Sequence, residues 1–289
     1  MDYGKKEASW VSEVIGCALL FSMTLFLLMS LGLNRSLTAN GIVIRALLHF
    51  AVFMVPAALG VWKLRRSAVR FPASEQKASL NKKLAVMLST FGLLVIFRIL
   101  YTSVFSSTAA VFGVSAAEDP VQLFMIFVFS TLIPSAAEEI FFRGFLLRSM
   151  RIFRASLAVL MSALTFALMH FSANGFPLYF ISGLFMGMAY VATNSLSTAI
   201  AIRFLCNAFW FLAETVEFYA PDQSMLLMQG GLLFCILLSA SGLPYLRENM
   251  RIFFENDDEK AIPSAYFWTV QTALFVALAA GIQLLFHIN

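Results

Sequence analysis

Two adjacent glutamates, Glu138 and Glu139, lie inside a strongly apolar stretch of the sequence. An ionisable residue in such a stretch is costly unless it is paired or has a function. Arg143 follows Glu139 by four residues, so the two side chains share one face of a helix and can neutralise each other. Glu138 points about 100 degrees away from them. The spacing predicts one paired and one free carboxylate, and a free buried carboxylate can act as a general acid or base.

His170 is a second residue suited to such chemistry. We treat the apolar segments on either side of Arg154 as an antiparallel helical hairpin, in which residues equally distant from Arg154 lie at the same depth. Glu138 and His170 are each 16 residues from Arg154, and Phe142 and Phe166 are each 12 residues from it. Glu138 is 10 residues from Arg148, which we place at the cytoplasmic boundary, so at about 1.5 Å per residue it lies about 15 Å inside the membrane.

A glutamate and a histidine held together near the bilayer midplane allow several kinds of chemistry. They can activate water, relay protons or bind a metal ion, and each role needs water to reach the site. The alternative is that they only pair with each other or with Arg143. Pro134, just before the glutamates, removes a backbone donor and can kink the helix toward a cavity.

Composition places these residues in a membrane protein. Of the 289 residues, 60% are hydrophobic and 12% are charged, and the mean hydropathy is +0.83. These values predict an all-α, polytopic membrane protein with eight or nine transmembrane helices. The apolar segments of spanning length are residues 11–33, 41–62, 84–105, 121–147, 155–172, 177–193, 197–213, 224–245 and 264–286.

The polar segments divide the chain into four predicted parts. Residues 1–62 form an N-terminal two-helix membrane unit, and residues 63–83 form a basic cytoplasmic linker. Residues 84–245 form the helical core that contains the glutamates. Residues 246–289 form a cytoplasmic loop and a C-terminal transmembrane helix.

The distribution of basic residues predicts the orientation, because Lys and Arg concentrate in cytoplasmic loops. Residues 63–83, 148–154 and 247–260 are rich in them, whereas the segments around Glu118 and Glu214 contain none. A cytoplasmic N-terminus fits this pattern. We therefore expect a multi-pass protein of the cytoplasmic membrane, with membrane lipid as a partner. The sequence has no basic patch interleaved with aromatic residues, so nucleic acid is not an expected partner.

The run Glu138-Glu139-x-x-x-Arg143, followed by Phe166-x-x-x-His170, resembles two linked signature motifs of a known family. These are the first two motifs of the CPBP intramembrane proteases, also called the CAAX protease and bacteriocin-processing or ABI family. The type II CAAX prenyl endopeptidases belong to this family. The motifs occur in the right order, and both lie in apolar segments.

The resemblance implies roles for individual residues. In the family the first glutamate is thought to activate the attacking water with help from the second, and these correspond to Glu138 and Glu139. Glu139 would be tied to Arg143. His170 would orient the site or donate a proton, and Asn207 would stabilise the oxyanion, since a neutral amide can donate to developing negative charge.

The third family motif, His-x-x-x-Asn, is where this chain departs from the pattern. Asn207 is present, but Arg203 occupies the place of the histidine. The resemblance, which covers about residues 121–213, implies either no cofactor or a divalent metal such as zinc. Glu138 and His170 would be the metal ligands. Arginine stays protonated and cannot bind a metal, so the substitution weakens the metal-dependent interpretation.

Arg203 leaves several hypotheses for function. If it stabilises an oxyanion, the chain is an intramembrane endopeptidase. Its substrates would be membrane-embedded or lipid-anchored peptides or proteins, including CAAX-type prenylated ones. If Arg203 instead forms a salt bridge with Glu138 and blocks the water, the chain is an inactive member that serves as a binding or immunity protein. A proton-coupled transporter that uses Glu138 and His170 as a relay is a third hypothesis.

Arg45, His49 and Arg98 are further ionisable residues within predicted spans. Arg45 and His49 are four residues apart near the outer end of the second span, and we expect them to form an interfacial pair. Arg98 has no partner that the sequence identifies, although it can meet one of the glutamates. None of the three is an expected site residue.

Overall fold

The computed structural model describes residues 2–32, 39–67, 78–105, 112–255 and 264–288. These residues form nine long or medium-length helices, with two short 3₁₀ turns and no strand in the described part. The helices are α1 (Asp2–Gly32), α2 (Ala39–Arg66), α3 (Leu80–Phe105), α4 (Pro120–Met150), α5 (Ala155–Leu168), α6 (Phe176–Thr193), α7 (Leu196–Tyr219), α8 (Pro221–Glu255) and α9 (Val270–Ile288). The predicted all-α fold is confirmed.

Each of the nine predicted spans overlaps one of these helices. Seven of them, α1–α4 and α6–α8, are long and apolar enough to cross a membrane, whereas α5 and α9 are shorter apolar helices. The chain is therefore a multi-pass membrane protein. The orientation and the four-part division stay predictions. Residues 68–77 of the linker and residues 256–263 of the C-terminal loop lie outside the described residues.

Helix α4 carries both glutamates and is not a regular α-helix. At its start, the Asp119 side chain accepts a hydrogen bond from the backbone N–H of Gln122 at 2.8 Å, which caps the first turn. Two stretches, Val128–Leu132 and Ile140–Leu147, are π-helical. The second stretch begins directly after Glu139. The carboxylates lie in the regular segment Ile133–Glu139 between the two stretches, and π-helical turns are frequent next to functional sites.

The α4–α5 hairpin has the register that the distances from Arg154 predict. The rings of Phe142 and Phe166 are in edge contact, with their centroids 5.0 Å apart. The Ser162 hydroxyl donates a hydrogen bond to the backbone carbonyl of Phe142 at 3.2 Å. The hairpin therefore brings Phe166 and the residues that follow it to the level of the glutamates.

Helices α5 and α6 pack closely at Gly183. A Cβ atom added there would lie 2.8 Å from the Cα atom of Ala163. The Gly183 carbonyl also accepts a hydrogen bond from Arg143 at 3.1 Å. We expect Gly183→Ala to lower the free energy of unfolding by about 1–3 kcal/mol, because the added methyl group forces the helices apart. Thermal unfolding in detergent measures the loss.

Gly281→Ala, in α9, is the matched control for this prediction. No described atom lies within 4 Å of a Cβ atom at position 281, so the control variant should unfold at the wild-type temperature. Equal unfolding temperatures for Gly183→Ala and Gly281→Ala would show that the close packing of α5 and α6 is unimportant for stability.

Candidate active site

Glu138 lies where α4 meets α7 and α2. Arg203 of α7 donates two hydrogen bonds to Glu138 Oε2, from Nε at 3.0 Å and from Nη2 at 2.6 Å. The other oxygen, Oε1, lies 3.3 Å from Nε2 of His49 in α2. Glu138 is only 7% exposed, and a charge so far from water must be paired. The prediction that Glu138 is free is therefore wrong, because side chains from two other helices approach it.

Glu139 and Arg143 form the ion pair that their spacing predicts. Arg143 Nη1 donates to Glu139 Oε1 at 2.9 Å, and both side chains are completely buried. Arg143 Nη2 donates to the carbonyl oxygen of Gly183 in α6 at 3.1 Å. The pair therefore joins α4 to α6, while Glu138 points toward α7 and α2.

Phe166 lies between the two arginines of the site. Its ring centroid is 5.0 Å from Cζ of Arg143 and 4.9 Å from Cζ of Arg203. Aromatic faces attract cations at this distance. The ring therefore stabilises two guanidinium groups in an apolar environment, which gives the phenylalanine of the second motif a physical role.

His170 is close to Glu138 but is held by other groups. Its Nδ1 atom lies 2.8 Å from the backbone carbonyl oxygen of Phe166, and its ring stacks on Tyr179 with centroids 3.7 Å apart. The histidine is near enough to Glu138 for electrostatic interaction, although no hydrogen bond joins these two described side chains. Because a carbonyl can only accept, Nδ1 carries a hydrogen, and in the neutral ring Nε2 has the lone pair.

Asn207 lies one turn after Arg203 on α7, as their spacing predicts, and it contacts α4. Its Nδ2 atom donates to the Ser135 hydroxyl at 3.0 Å, and that hydroxyl donates to the backbone carbonyl of Thr131 at 2.5 Å. Ser135 precedes Glu138 by three residues, so the Asn207 amide is fixed beside the carboxylates. The sequence pattern did not identify this serine.

His49 is a second site residue that the sequence pattern missed. We expected His49 to form an interfacial pair with Arg45, and this prediction is wrong. His49 instead contacts Glu138 and packs edge-on against Phe53, with ring centroids 5.0 Å apart. Its depth in the membrane could have identified it. His49 lies ten residues after the start of α2, or about 15 Å along the helix. An ionisable residue at that depth usually has a function.

A cavity of about 470 Å³ lies beside His49. It is bounded by α2, by the segment before α4, and by parts of α4 and α7. The residues that define its extent are Arg45, His49, Phe112, Phe129, Pro134 and Glu214. The Glu214 carboxylate accepts hydrogen bonds from the backbone N–H groups of Phe112 and Val114 at 3.1 and 3.0 Å. Because those bonds fix the segment before α4, the cavity has a defined wall next to the site.

The residues of the site do not fit a catalytic metal. A catalytic zinc typically has three protein ligands. In the described part of the chain, no group of three or more His, Cys, Asp or Glu side chains is placed to hold a metal. Arg203 binds Glu138 Oε2 and cannot itself act as a ligand. Among the described residues, Glu138 and His170, the ligands that the family resemblance implies, therefore have no third partner.

Arg98 of α3 does not form an ion pair with a glutamate among the described residues. Its Cζ atom lies 4.4 Å from the centroid of the Trp210 ring in α7. A cation over an aromatic face is favourable in an apolar environment. Arg98 therefore fastens α3 to α7 behind the site.

The fold and the buried carboxylates define a multi-pass membrane protein with a polar site between its helices. Residues 120–209 match the family model described as Rce1-like, Type II CAAX prenyl endopeptidase Rce1-like. The match covers about a third of the chain and agrees with the motif resemblance to the CPBP or CAAX protease family. No curated protein and no solved structure matches the chain. The matched residues include every motif position but not His49.

Proposed function

We propose that this protein is an intramembrane endopeptidase in which Glu138 activates the attacking water. The observation that carries the proposal is that the two oxygens of this carboxylate have different neighbours. Arg203 holds Glu138 Oε2, while Oε1 faces His49, a residue that lines the cavity. One oxygen therefore fixes the orientation of the carboxylate, and the other is directed toward the side from which water can come. A general base needs this arrangement.

The reaction uses Glu138 as the base and neighbouring groups as stabilisers. Glu138 Oε1 takes a proton from water while the water oxygen attacks the carbonyl carbon of the peptide. The tetrahedral intermediate carries a negative charge on oxygen. The Arg203 guanidinium and the Asn207 amide stand beside Glu138 and supply the positive charge and the donor that such an oxyanion needs. When the C–N bond breaks, its electron pair stays on the nitrogen, which receives the proton taken from water, and Glu138 becomes a carboxylate again.

The substrates proposed are membrane-embedded or lipid-anchored peptides, with CAAX-type prenylated peptides among them. The family match supports this class. A site enclosed by membrane-spanning helices also favours substrates that already reside in the bilayer. We propose the cytoplasmic membrane as the location, on the basis of the predicted orientation.

A second candidate function has an observation of its own. Two hydrogen bonds from Arg203 neutralise Glu138, and a strongly paired carboxylate is a weaker base. If water cannot reach Oε1, the protein is a catalytically silent family member that binds a partner. The two candidates differ in what Arg203 does, so substitution of this residue separates them.

We expect Arg203→Met to lower kcat for peptide cleavage by about 100-fold, because the variant loses a cationic group that stabilises the oxyanion. Arg203→His should keep more activity, since histidine can still donate a hydrogen bond. The measurement is cleavage of membrane-anchored peptides by the purified protein in lipid.

Arg98→Met is the matched control for this prediction. It removes an arginine that stacks on Trp210, and its activity should stay within about threefold of wild type, since Arg98 makes no contact with Glu138 that could support the reaction. If the wild type does not cleave the peptides but Arg203→His does, the protein is the catalytically silent family member of the second candidate function.

A further inference from the structure

We propose that His49 is a further catalytic residue, which donates a proton to the leaving nitrogen of the cleaved peptide bond. This inference rests on the proposed peptidase function. His49 belongs to α2, which lies outside the residues that match the family model. Its role is therefore inferred from geometry alone.

The position of the His49 ring carries the inference. Nε2 lies 3.3 Å from Glu138 Oε1, and the side chain is 19% exposed, compared with 9% for Glu138. The ring also forms part of the cavity wall. The Nε2 atom is itself buried, and no described residue makes a well-aligned hydrogen bond to it. His49 therefore lies between the carboxylate and the space open to water and peptide.

The other ionisable groups near Glu138 are less suited to this role. Arginine does not lose its proton in proteins, which excludes Arg203. Glu139 is completely buried in its ion pair with Arg143. His170 is tied to a backbone carbonyl and stacked on Tyr179, and it is not part of the cavity wall. Among the described residues, His49 alone combines contact with Glu138 and access to the cavity.

The proposed step balances in protons and electrons. The water oxygen bonds to the carbonyl carbon, and one water proton moves to Glu138 Oε1. His49 Nε2 then takes that proton from Glu138. When the C–N bond breaks, its electron pair stays on nitrogen, which receives a proton from His49. Glu138 and His49 return to their starting states, and one water has converted an amide into a carboxylic acid and an amine.

The inference also accounts for the altered third motif. The histidine of that motif is replaced by Arg203, which binds one oxygen of Glu138. His49 brings an imidazole to the other oxygen of the same carboxylate from a different helix. The site therefore contains a group able to carry a proton although the motif histidine is missing.

The test compares two leaving groups. The probes are the membrane-anchored peptide that the wild type cleaves fastest and its analogue with a thioester at the cleaved bond. An amine must be protonated as it leaves, whereas a thiolate is stable, since a thiol has a pKa of about 8.5. We expect His49→Gln to lower kcat about 100-fold for the amide and less than about fivefold for the thioester. Glu138→Gln should lower both rates.

Two further variants make the test specific to His49. Addition of imidazole should restore part of the amide cleavage by His49→Ala, because the cavity beside the missing ring can admit it. The same addition should not restore His170→Ala, because His170 does not line the cavity.

The outcomes separate the two proposals. Equal losses for the amide and the thioester in His49→Gln would overturn the proton-donor role while leaving the peptidase function intact, and so would wild-type amide cleavage by His49→Gln. Absence of peptide cleavage by the wild type would overturn the peptidase function itself, and the His49 role with it.

Discussion

Glu138→Gln is expected to lower kcat for peptide cleavage by about 10,000-fold, at the upper end of what a positioned general base contributes. Glutamine has nearly the same shape as glutamate, and its amide oxygen can still accept hydrogen bonds from Arg203. It cannot take a proton from water. KM should therefore change little, whereas the unfolding temperature should fall, because Arg203 loses its charged partner in a largely buried position. The measurement is single-turnover cleavage in lipid, with thermal unfolding recorded on the same preparation.

Glu217→Gln is a suitable control for the change at Glu138. Glu217 is an exposed carboxylate on the same helix as Arg203, and its replacement should leave the rate and the stability at wild-type values. A Glu138→Gln variant that keeps more than about a tenth of the wild-type rate would contradict the role of this carboxylate as the base.

Arg143→Met is expected to lower the free energy of unfolding by about 3–5 kcal/mol. The variant leaves the Glu139 carboxylate without its ion-pair partner in a completely buried position. It also removes the hydrogen bond to the carbonyl oxygen of Gly183. A membrane-spanning helix cannot compensate with bulk water, so much of the cost remains. Unfolding by denaturant in mixed micelles measures the loss.

A double variant tests the cause of that destabilisation. Glu139→Gln with Arg143→Met removes both charges of the pair, and it should recover more than half of the lost stability, because replacing a whole buried pair is far less costly than breaking it. Arg148→Met, at an exposed position of the same helix, should have the wild-type stability. If Arg143→Met unfolds at the wild-type denaturant concentration, Glu139 does not need its partner.

Local features of the site could be predicted from the sequence because they depend on the geometry of single helices and short turns. The Glu139–Arg143 pair follows from a four-residue spacing. The contact between Phe142 and Phe166 follows from a hairpin that turns at Arg154. Each inference needs only the rise of a helix and the position of one turn.

Contacts between distant helices could not be predicted in this way. His49 and Glu138 are 89 positions apart in the sequence and lie on α2 and α4, with α3 between them. Their contact depends on how far α2 slides along α4, and no apolar periodicity defines that distance. The π-helical stretches of α4 also change which side chains face α2 and α7. For the same reason, the sequence left two roles open for Arg203, as a group that stabilises an oxyanion or as a salt-bridge partner of Glu138.

The most direct test of the account is cleavage of membrane-anchored peptides by the wild-type protein in water enriched with oxygen-18. The account predicts new peptide fragments whose C-terminal carboxyl group carries one heavy oxygen, and it predicts that Glu138→Gln produces almost none of them. Such a result would show that water attacks the peptide carbonyl and that Glu138 is required. Wild-type protein that produces no fragments, or fragments without the heavy oxygen, would contradict hydrolysis by a glutamate-activated water.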